Sequence, residues 1–72
     1  MKTARQMIRD WRVAHDLTQQ QIAERTKLRP QKVSAYETGL TRVPADAFLN
    51  IIVNGFGVTP ENFFIEQASK SE

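Results

Sequence analysis

Amide and cationic side chains are concentrated in the middle of this 72-residue chain, between residues 17 and 42. Gln19 begins one short helical pattern, and Gln31 and Lys32 begin a second. Arg42 follows in the next loop. Amide and cationic groups donate hydrogen bonds to phosphate oxygens and to the edges of nucleic-acid bases. Two short helices joined by a tight turn form a helix-turn-helix, which lays its second helix in the major groove of DNA. These residues therefore predict a surface that binds DNA.

Charge is distributed unevenly along the chain, although the net charge is only +2. Residues 1–42 carry nine Lys/Arg and four Asp/Glu, whereas residues 43–72 carry one Lys and four Asp/Glu. A basic N-terminal segment is typical of a domain that binds a polyanion with one face. Ordinary solvated surface would produce the same asymmetry, so charge alone leaves both interpretations open.

Length and composition limit the classes of protein to which the chain can belong. Seventy-two residues predict one domain, residues 1–72, that is too small for a large active-site cleft. The sequence has no cysteine, no apolar run near the roughly 18 residues of a membrane span, and a polar start. It also lacks a glycine-rich phosphate loop and metal-ligand spacing. We therefore expect a cytoplasmic or nucleoid protein that is not an enzyme and binds no metal, cofactor, membrane or small-molecule substrate.

Five amphipathic or capped segments predict an all-α bundle without strands. Apolar residues at i, i+3, i+4 and i+7 from Ala4 to Trp11 are typical of one inward helix face. Thr18 and Gln21 match a capping box at the start of the second helix. The expected helices are about residues 3–15, 19–26, 30–37, 45–55 and 60–68.

The third helix should begin at Pro30, because the missing N–H of proline has no helical partner at that position. Arg29 before it is a poor N-cap residue. Gly39 is a suitable stop, because it adopts the left-handed backbone conformation easily. The buried stripe of the fourth helix is expected to consist of Phe48, Leu49, Ile52 and Phe56.

An ordered set of short elements extends across these helices, with spacings that are specific as a set. The elements are Leu17-Thr18-Gln19, Ile22-Ala23, Val33-Ser34, Tyr36-Glu37, Gly39, Pro44, Leu49, Ile52 and Phe56-Gly57-Val58. On these residues the chain resembles the lambda-repressor-like helix-turn-helix family, of Cro/repressor or Xre type, over about residues 4–64. The resemblance implies a compact five-helix DNA-binding domain.

The resemblance also implies a function. It indicates a transcription regulator that binds double-stranded DNA sequence-specifically, namely a Cro-like repressor of phage, plasmid or bacterial type. Such a protein acts as a homodimer on a palindromic operator, with half-sites about 34 Å apart. The alternatives are an antitoxin, a controller of a restriction–modification system, and a protein-interaction module that uses the same fold without DNA.

The family pattern implies roles for individual residues of this chain. Gln19 matches a glutamine that holds a phosphate at the start of the second helix, where backbone N–H groups also attract phosphate. The expected base contacts are Arg29, Gln31, Lys32 and Ala35. Further expected phosphate contacts are Gln20, Ser34, Thr41 and Arg42. Ser34 fits an ordinary surface hydroxyl equally well. Arg12 and Glu37 match a pair that joins the first and third helices through a salt bridge.

Two residues depart from the family pattern, and both lie near the turn between the second and third helices. Lys27 stands where the family usually has glycine, so a left-handed turn there would be strained by about 1 kcal/mol. Pro30 stands where many members have a base-contacting glutamine, and the proline side chain has no group that can hydrogen-bond to a base. Base recognition therefore shifts to Gln31, Lys32 and Arg29.

Three adjacent apolar residues, Phe63, Phe64 and Ile65, lie in the last predicted helix. They cannot all face inward from one helix, so we expect Phe64 or Ile65 to be exposed on the monomer. Exposed apolar surface of this kind favours contact with a second copy in a homodimer. The alternative is that the short C-terminal tail covers the exposed residue.

Overall fold

Five helices make up the structure, a computed structural model that describes residues 2–70. They are α1, Ala4–Ala14; α2, Gln19–Thr26; α3, Pro30–Thr38; α4, Ala45–Asn50; and α5, Pro60–Lys70. A π-helical segment, Ile51–Gly55, continues directly from α4. The described residues contain no β-strand, so the all-α prediction is confirmed. Within the same residues, no helix combines the length and the apolarity needed to cross a membrane.

Local sequence signals account for where the first two helices begin. Thr18 Oγ1 accepts a hydrogen bond from the Gln21 N–H at 3.0 Å, and the Thr18 N–H donates to Gln21 Oε1 at 2.8 Å. Thr3 and Gln6 form the same capping box at the start of α1. These bonds satisfy N–H groups that have no partner within the first turn of a helix. Both helix starts are therefore held at defined positions.

The core lies between the helices and is built mainly from aliphatic and aromatic side chains. Its buried apolar members are Ile8, Trp11, Ile22, Ala23, Val33, Tyr36, Ile51, Ile52, Phe56 and Phe63. The rings of Trp11 and Phe56 stack with their centroids 4.2 Å apart, and the Phe63 ring lies 5.9 Å from Phe56. Burial of one large apolar side chain contributes about 1.5–3 kcal/mol, so this cluster holds α2 and α3 in a fixed relation.

The π-helical segment packs closely against α2. An added Cβ at Gly55 would lie 3.2 Å from Thr26 Cγ2 and 3.3 Å from Ile22 Cγ2, so a larger residue would displace these side chains. Arg25 Nη1 donates to the Gly55 carbonyl oxygen at 3.0 Å. Asn50 Nδ2 donates to the Thr26 carbonyl oxygen at 3.1 Å. These contacts join α2 to the C-terminal part of the domain.

The expected buried stripe of the fourth helix is partly wrong. Leu49 is 46% exposed, whereas Ile51, which the expected stripe omits, is fully buried. A helix advances by about 100° per residue, so the face shared by Phe48, Ile51 and Ile52 is centred about 110° away from Leu49. The inward face therefore follows the i, i+3, i+4 spacing that begins at Phe48.

Candidate nucleic-acid interface

The turn between α2 and α3 contains a residue with left-handed backbone. Lys27 has φ 64° and ψ 23°, and it is exposed. A residue with a Cβ costs about 1–2 kcal/mol in this conformation, so the lysine is strained where glycine would not be. The Leu28 N–H donates to the Ala23 carbonyl oxygen at 3.1 Å, which closes the turn. The turn therefore keeps its tight geometry and carries a cationic side chain.

The first turns of α3 present polar side chains to solvent. Arg29, Gln31 and Lys32 are exposed, and Ala35 follows Gln31 by one helical turn. Among the described residues Arg29 has no side-chain partner for capping the helix. Lys32 Nζ lies 5.7 Å from the centroid of the Tyr36 ring, which is within cation–π distance. The exposed amide and cations are groups that can pair with the edges of adenine and guanine.

One buried carboxylate connects α1, α2 and α3. Glu37, whose side chain is 2% exposed, accepts hydrogen bonds from Arg12 Nε at 2.7 Å, Arg12 Nη2 at 2.9 Å and Gln19 Nε2 at 3.1 Å. Arg12 Nη1 also donates to the Leu17 carbonyl oxygen at 2.8 Å. The hydrogen bonds to Glu37 raise the pKa of the Arg12 guanidinium, while partial burial acts in the opposite direction. Arg12 therefore stays charged, and its two bonds to Glu37 hold α1 on α3.

Gln19 is held at the start of α2 by this carboxylate. One N–H of its side-chain amide donates to Glu37. A side-chain amide carries two N–H bonds. The second N–H of Gln19 has no acceptor within the described residues, so it can donate to another group. It lies at a helix start, where unpaired backbone N–H groups attract anions. The bond between Gln19 and Glu37 joins residues that are 18 positions apart, so no local sequence pattern predicts it.

The loop after α3 begins with a hydrogen-bonded turn. Gly39 has φ 83°, the left-handed conformation that favours glycine. The Thr41 N–H donates to the Ala35 carbonyl oxygen at 3.2 Å, which ties the loop to α3. Thr41 is half-buried and Arg42 is exposed, and Leu40 between Gly39 and Thr41 is 84% exposed. Two expected phosphate contacts therefore lie on a loop that is anchored to the end of the exposed helix.

Arg5 of α1 lies against this loop, although the sequence analysis assigns it no role. An added Cβ at Gly39 would lie 3.1 Å from Arg5 Nε and 3.3 Å from Arg5 Cζ, so the arginine side chain crosses the glycine. The groove at this point is lined by Thr3, Ala4, Arg5, Gly39, Thr41, Arg42 and Val43. The one sequence signal for this surface is the i, i+4, i+7 spacing of Arg5, Arg9 and Arg12, which indicates a common basic side of α1.

A separate apolar surface lies on α4 and α5. Phe63 is fully buried, whereas Phe64 is 46% exposed and Ile65 is 59% exposed. The Phe64 ring lies 6.0 Å from the Phe48 ring, measured between centroids, so it is anchored on α4 while part of it faces solvent. Leu49 of α4 is exposed to the same extent as Phe64. The two expected dimer-contact residues are therefore on an exposed apolar surface.

Within the described part of the chain, no three His, Cys, Asp or Glu side chains come together in a cluster that could hold a metal ion. The His15 ring stacks on the Trp11 ring with centroids 3.7 Å apart. His15 Nε2 lies 3.7 Å from Glu66 Oε1. Its contacts are therefore those of a side chain that covers the core.

Comparison with protein families assigns the chain to one of them. A family model described as helix-turn-helix matches residues 8–63, well over half of the chain. Comparisons with curated proteins and with solved structures find no match. The matched residues include the capped start of α2, the left-handed turn at Lys27 and the exposed first turns of α3. The chain belongs to the lambda-repressor-like, Cro/C1-type helix-turn-helix family, whose domain is that of a DNA-binding transcription regulator.

Proposed function

We propose that the chain is a Cro-like transcription repressor, which binds double-stranded operator DNA sequence-specifically as a homodimer. The observation that carries the proposal is a fixed amide at the start of α2 in a domain whose α3 begins with exposed polar residues. Buried Glu37 holds the Gln19 side chain at the start of α2. The exposed polar residues at the start of α3 are Arg29, Gln31 and Lys32. A contact group that is already positioned loses less conformational entropy on binding, which favours affinity.

Phosphate contacts hold such a domain on the duplex in one register. Gln19 offers its second amide N–H, and Gln20 beside it is exposed. Thr41 and Arg42 offer a hydroxyl and a guanidinium from the loop after α3, and Ser34 offers a half-buried hydroxyl. Contacts of this kind determine position and orientation without distinguishing one sequence from another.

Base contacts come from the first turns of α3 in this proposal. Gln31 can pair bidentately with adenine, and Lys32 can donate to guanine O6 and N7. Ala35 can contact only a thymine methyl group. Arg29 adds a second cation at the helix start, where Pro30 contributes no N–H donor. The base preference should therefore depend chiefly on Gln31, Lys32 and Arg29.

Dimer formation uses Phe64 and Ile65 in this proposal. Both are exposed apolar residues on α5, and removing apolar surface from water contributes about 25 cal/mol per Å². Two copies would occupy half-sites about 34 Å apart, which is one turn of the double helix. Repression then follows from occupation of a promoter in the bacterial cytoplasm, without catalysis.

A gel-shift experiment tests the proposal, with DNA from just upstream of the chain's own coding sequence as the probe. Binding near 10⁻⁸ M, roughly the range of specific regulators, should be competed by unlabelled probe and much less by an unrelated duplex of equal length. Equal competition by both duplexes would contradict sequence-specific regulation. The absence of a shift with either duplex would contradict DNA binding itself.

Substitution of Gln31 tests the assignment of base contacts. Gln31→Ala should lower discrimination at one operator position by about 1–3 kcal/mol, because one bidentate pair is lost. Gln20→Ala is the matched control, and it should weaken binding to all sequences to a similar extent. Competition assays with probes substituted at single positions measure both effects. A uniform loss of affinity in Gln31→Ala would reassign this residue to the phosphate contacts.

A protein partner is the second candidate, and the surface on α4 and α5 favours it. The exposed apolar residues of α4 and α5 are Leu49, Phe64 and Ile65, and Val53 is exposed on the π-helical segment between them. An antitoxin or a restriction–modification controller would use α2 and α3 for DNA and this surface for a protein. A pure interaction module would use the apolar surface alone, and it would produce no shift in the gel experiment.

A further inference from the structure

Arg5 lies beside the proposed phosphate-binding loop. Its guanidinium crosses Gly39, with Nε 3.1 Å from the position that a Cβ would occupy there. Arg5 and Arg42 line one groove of about 410 Å³, together with Thr3 and Thr41. Two guanidinium groups and two side chains with hydroxyls on one groove form a surface that suits an anion, because guanidinium groups bind phosphate oxygens bidentately.

The two arginines of this groove form no ion pair with the described residues. Arg5 also lines a second groove that contains Asp10 and Glu37, and each of these carboxylates is ion-paired with another cation. Lys2, which is close in sequence, is ion-paired with Asp10 at 2.9 Å. No carboxylate in residues 2–70 lies within ion-pair distance of Arg5 or Arg42. Two like charges on one groove repel each other, and an anion between them relieves that repulsion. The groove therefore favours a negatively charged occupant.

We infer that Arg5 binds a phosphate of the DNA backbone beside the phosphate bound by Arg42. The N-terminal turn of α1 then becomes a third element of the DNA interface, after the start of α2 and the loop that follows α3. This inference rests on the proposed function, because the same duplex is the polyanion. Arg5 lies just before residues 8–63, which match the family model.

The salt dependence of binding measures the contact. The probe is a fluorescently labelled duplex of about 30 base pairs and mixed sequence, titrated between about 50 and 200 mM salt. One phosphate contact contributes about 0.9 to the slope of log K against log salt concentration, so Arg5→Gln should lower the slope by about that amount. The ratio of the wild-type affinity to the Arg5→Gln affinity should then be about threefold larger at the lowest salt concentration than at the highest.

Three further variants separate this contact from other effects. Asn62→Asp, at an exposed position of α5 outside the groove, lowers the net charge by the same single unit and should leave the slope near that of the wild type. Arg5→Lys keeps the cation and should also keep the slope. Arg42→Gln should lower the slope as Arg5→Gln does. Thermal denaturation by circular dichroism checks that each variant is folded.

The outcomes distinguish the inference from the function on which it rests. Equal slopes for Arg5→Gln and Asn62→Asp, with a lower slope for Arg42→Gln, would overturn the role of Arg5 and leave DNA binding intact. A loss of slope in Arg5→Lys as large as in Arg5→Gln would also overturn it, because packing on Gly39 and not charge would then be the cause. A wild-type protein that binds no duplex at the lowest salt would overturn the proposed function and the inference together.

Discussion

The α2–α3 half of the domain and the α4–α5 half differ in how they hold their exposed surfaces. In the first half, Glu37 of α3 holds Gln19 of α2, and also Arg12 of the neighbouring α1, through hydrogen bonds of 2.7–3.1 Å. In the second half, aromatic rings pack against one another, and Phe64 and Leu49 remain about half exposed. Hydrogen bonds are directional, whereas apolar contacts are not. Substitutions in the first half should therefore alter the position of contact groups, and substitutions in the second half should alter packing or association.

The largest effect is expected from Glu37→Ala. The substitution leaves the Arg12 side chain, 15% exposed, without its carboxylate, and such a loss destabilises a protein by about 3 kcal/mol. For a domain of this size the midpoint of thermal denaturation should fall by about 12–24 °C. DNA binding should weaken as well, because Gln19 loses the acceptor that orients it. Circular dichroism melting and the duplex titration measure the two effects.

Glu61→Ala on the first turn of α5 is the matched control, because it removes an exposed carboxylate from the other half. It should cost no more than about 1 kcal/mol, the upper end for a charge near a helix start. Equal destabilisation by Glu37→Ala and Glu61→Ala would mean that the buried carboxylate does not hold the first half together.

Gly55→Ala should produce the next largest effect, through crowding where the two halves meet. The added methyl group would lie 3.2 Å from Thr26 Cγ2, and overpacking of this kind costs about 1–3 kcal/mol. Gly57→Ala is the comparison, because Gly57 has φ 73° and no neighbouring atom among the described residues within 4 Å of an added Cβ. It should cost about 1 kcal/mol from backbone strain alone. Urea denaturation measures both, and a larger loss in Gly57→Ala would make crowding against α2 unimportant.

Phe64→Ser tests the association expected of the second half. Its main effect should be a weaker dimer, measured by sedimentation at micromolar concentration. The stability of the monomer should fall by no more than about 1 kcal/mol, because the ring is already half exposed. Val13→Ser on α1, with 53% exposure, is the matched control and should leave association unchanged. A wild-type protein that is monomeric both free and on DNA would contradict the dimer.

Local signals in the sequence predict where most helices begin and end, but they do not predict the π-helical segment Ile51–Gly55 within the expected fourth helix, 45–55. Capping and periodic burial operate over three or four residues, so the starts at Thr18 and Pro30 and the stop at Gly39 follow from adjacent residue types. The expected stripe of the fourth helix is wrong at Leu49, because Phe48 and Ile52 are compatible with an inward face that contains either Leu49 or Ile51, and packing selects Ile51.

The polar organisation of the candidate site could not be predicted in the same way. The bond from Gln19 to Glu37 and the crossing of Gly39 by Arg5 depend on how α1, α2 and α3 pack together. Family resemblance assigned Gln19 and Glu37 separate roles and did not include their contact. Arg5 is not one of the residues to which the family pattern gives a role, so its place beside the loop after α3 follows only from the packing of the helices.

Lys27→Gly should have the smallest effect on stability, and it tests what the strained turn contributes to the first half. Glycine relieves about 1 kcal/mol of left-handed strain. It also gives the unfolded chain more conformational freedom, which favours unfolding, so the net stabilisation should be about 0.5 kcal/mol. Asp16→Gly is the matched control at φ 57°, and it should gain less stability because aspartate tolerates this conformation better.

If Lys27 is used for its charge, the salt slope of duplex binding should fall by about 0.9 in Lys27→Gly and remain unchanged in Asp16→Gly. We expect that fall, because Lys27 is an exposed cation in the turn before α3, the helix proposed to contact DNA. An unchanged salt slope in Lys27→Gly would show that Lys27 makes no phosphate contact through its charge.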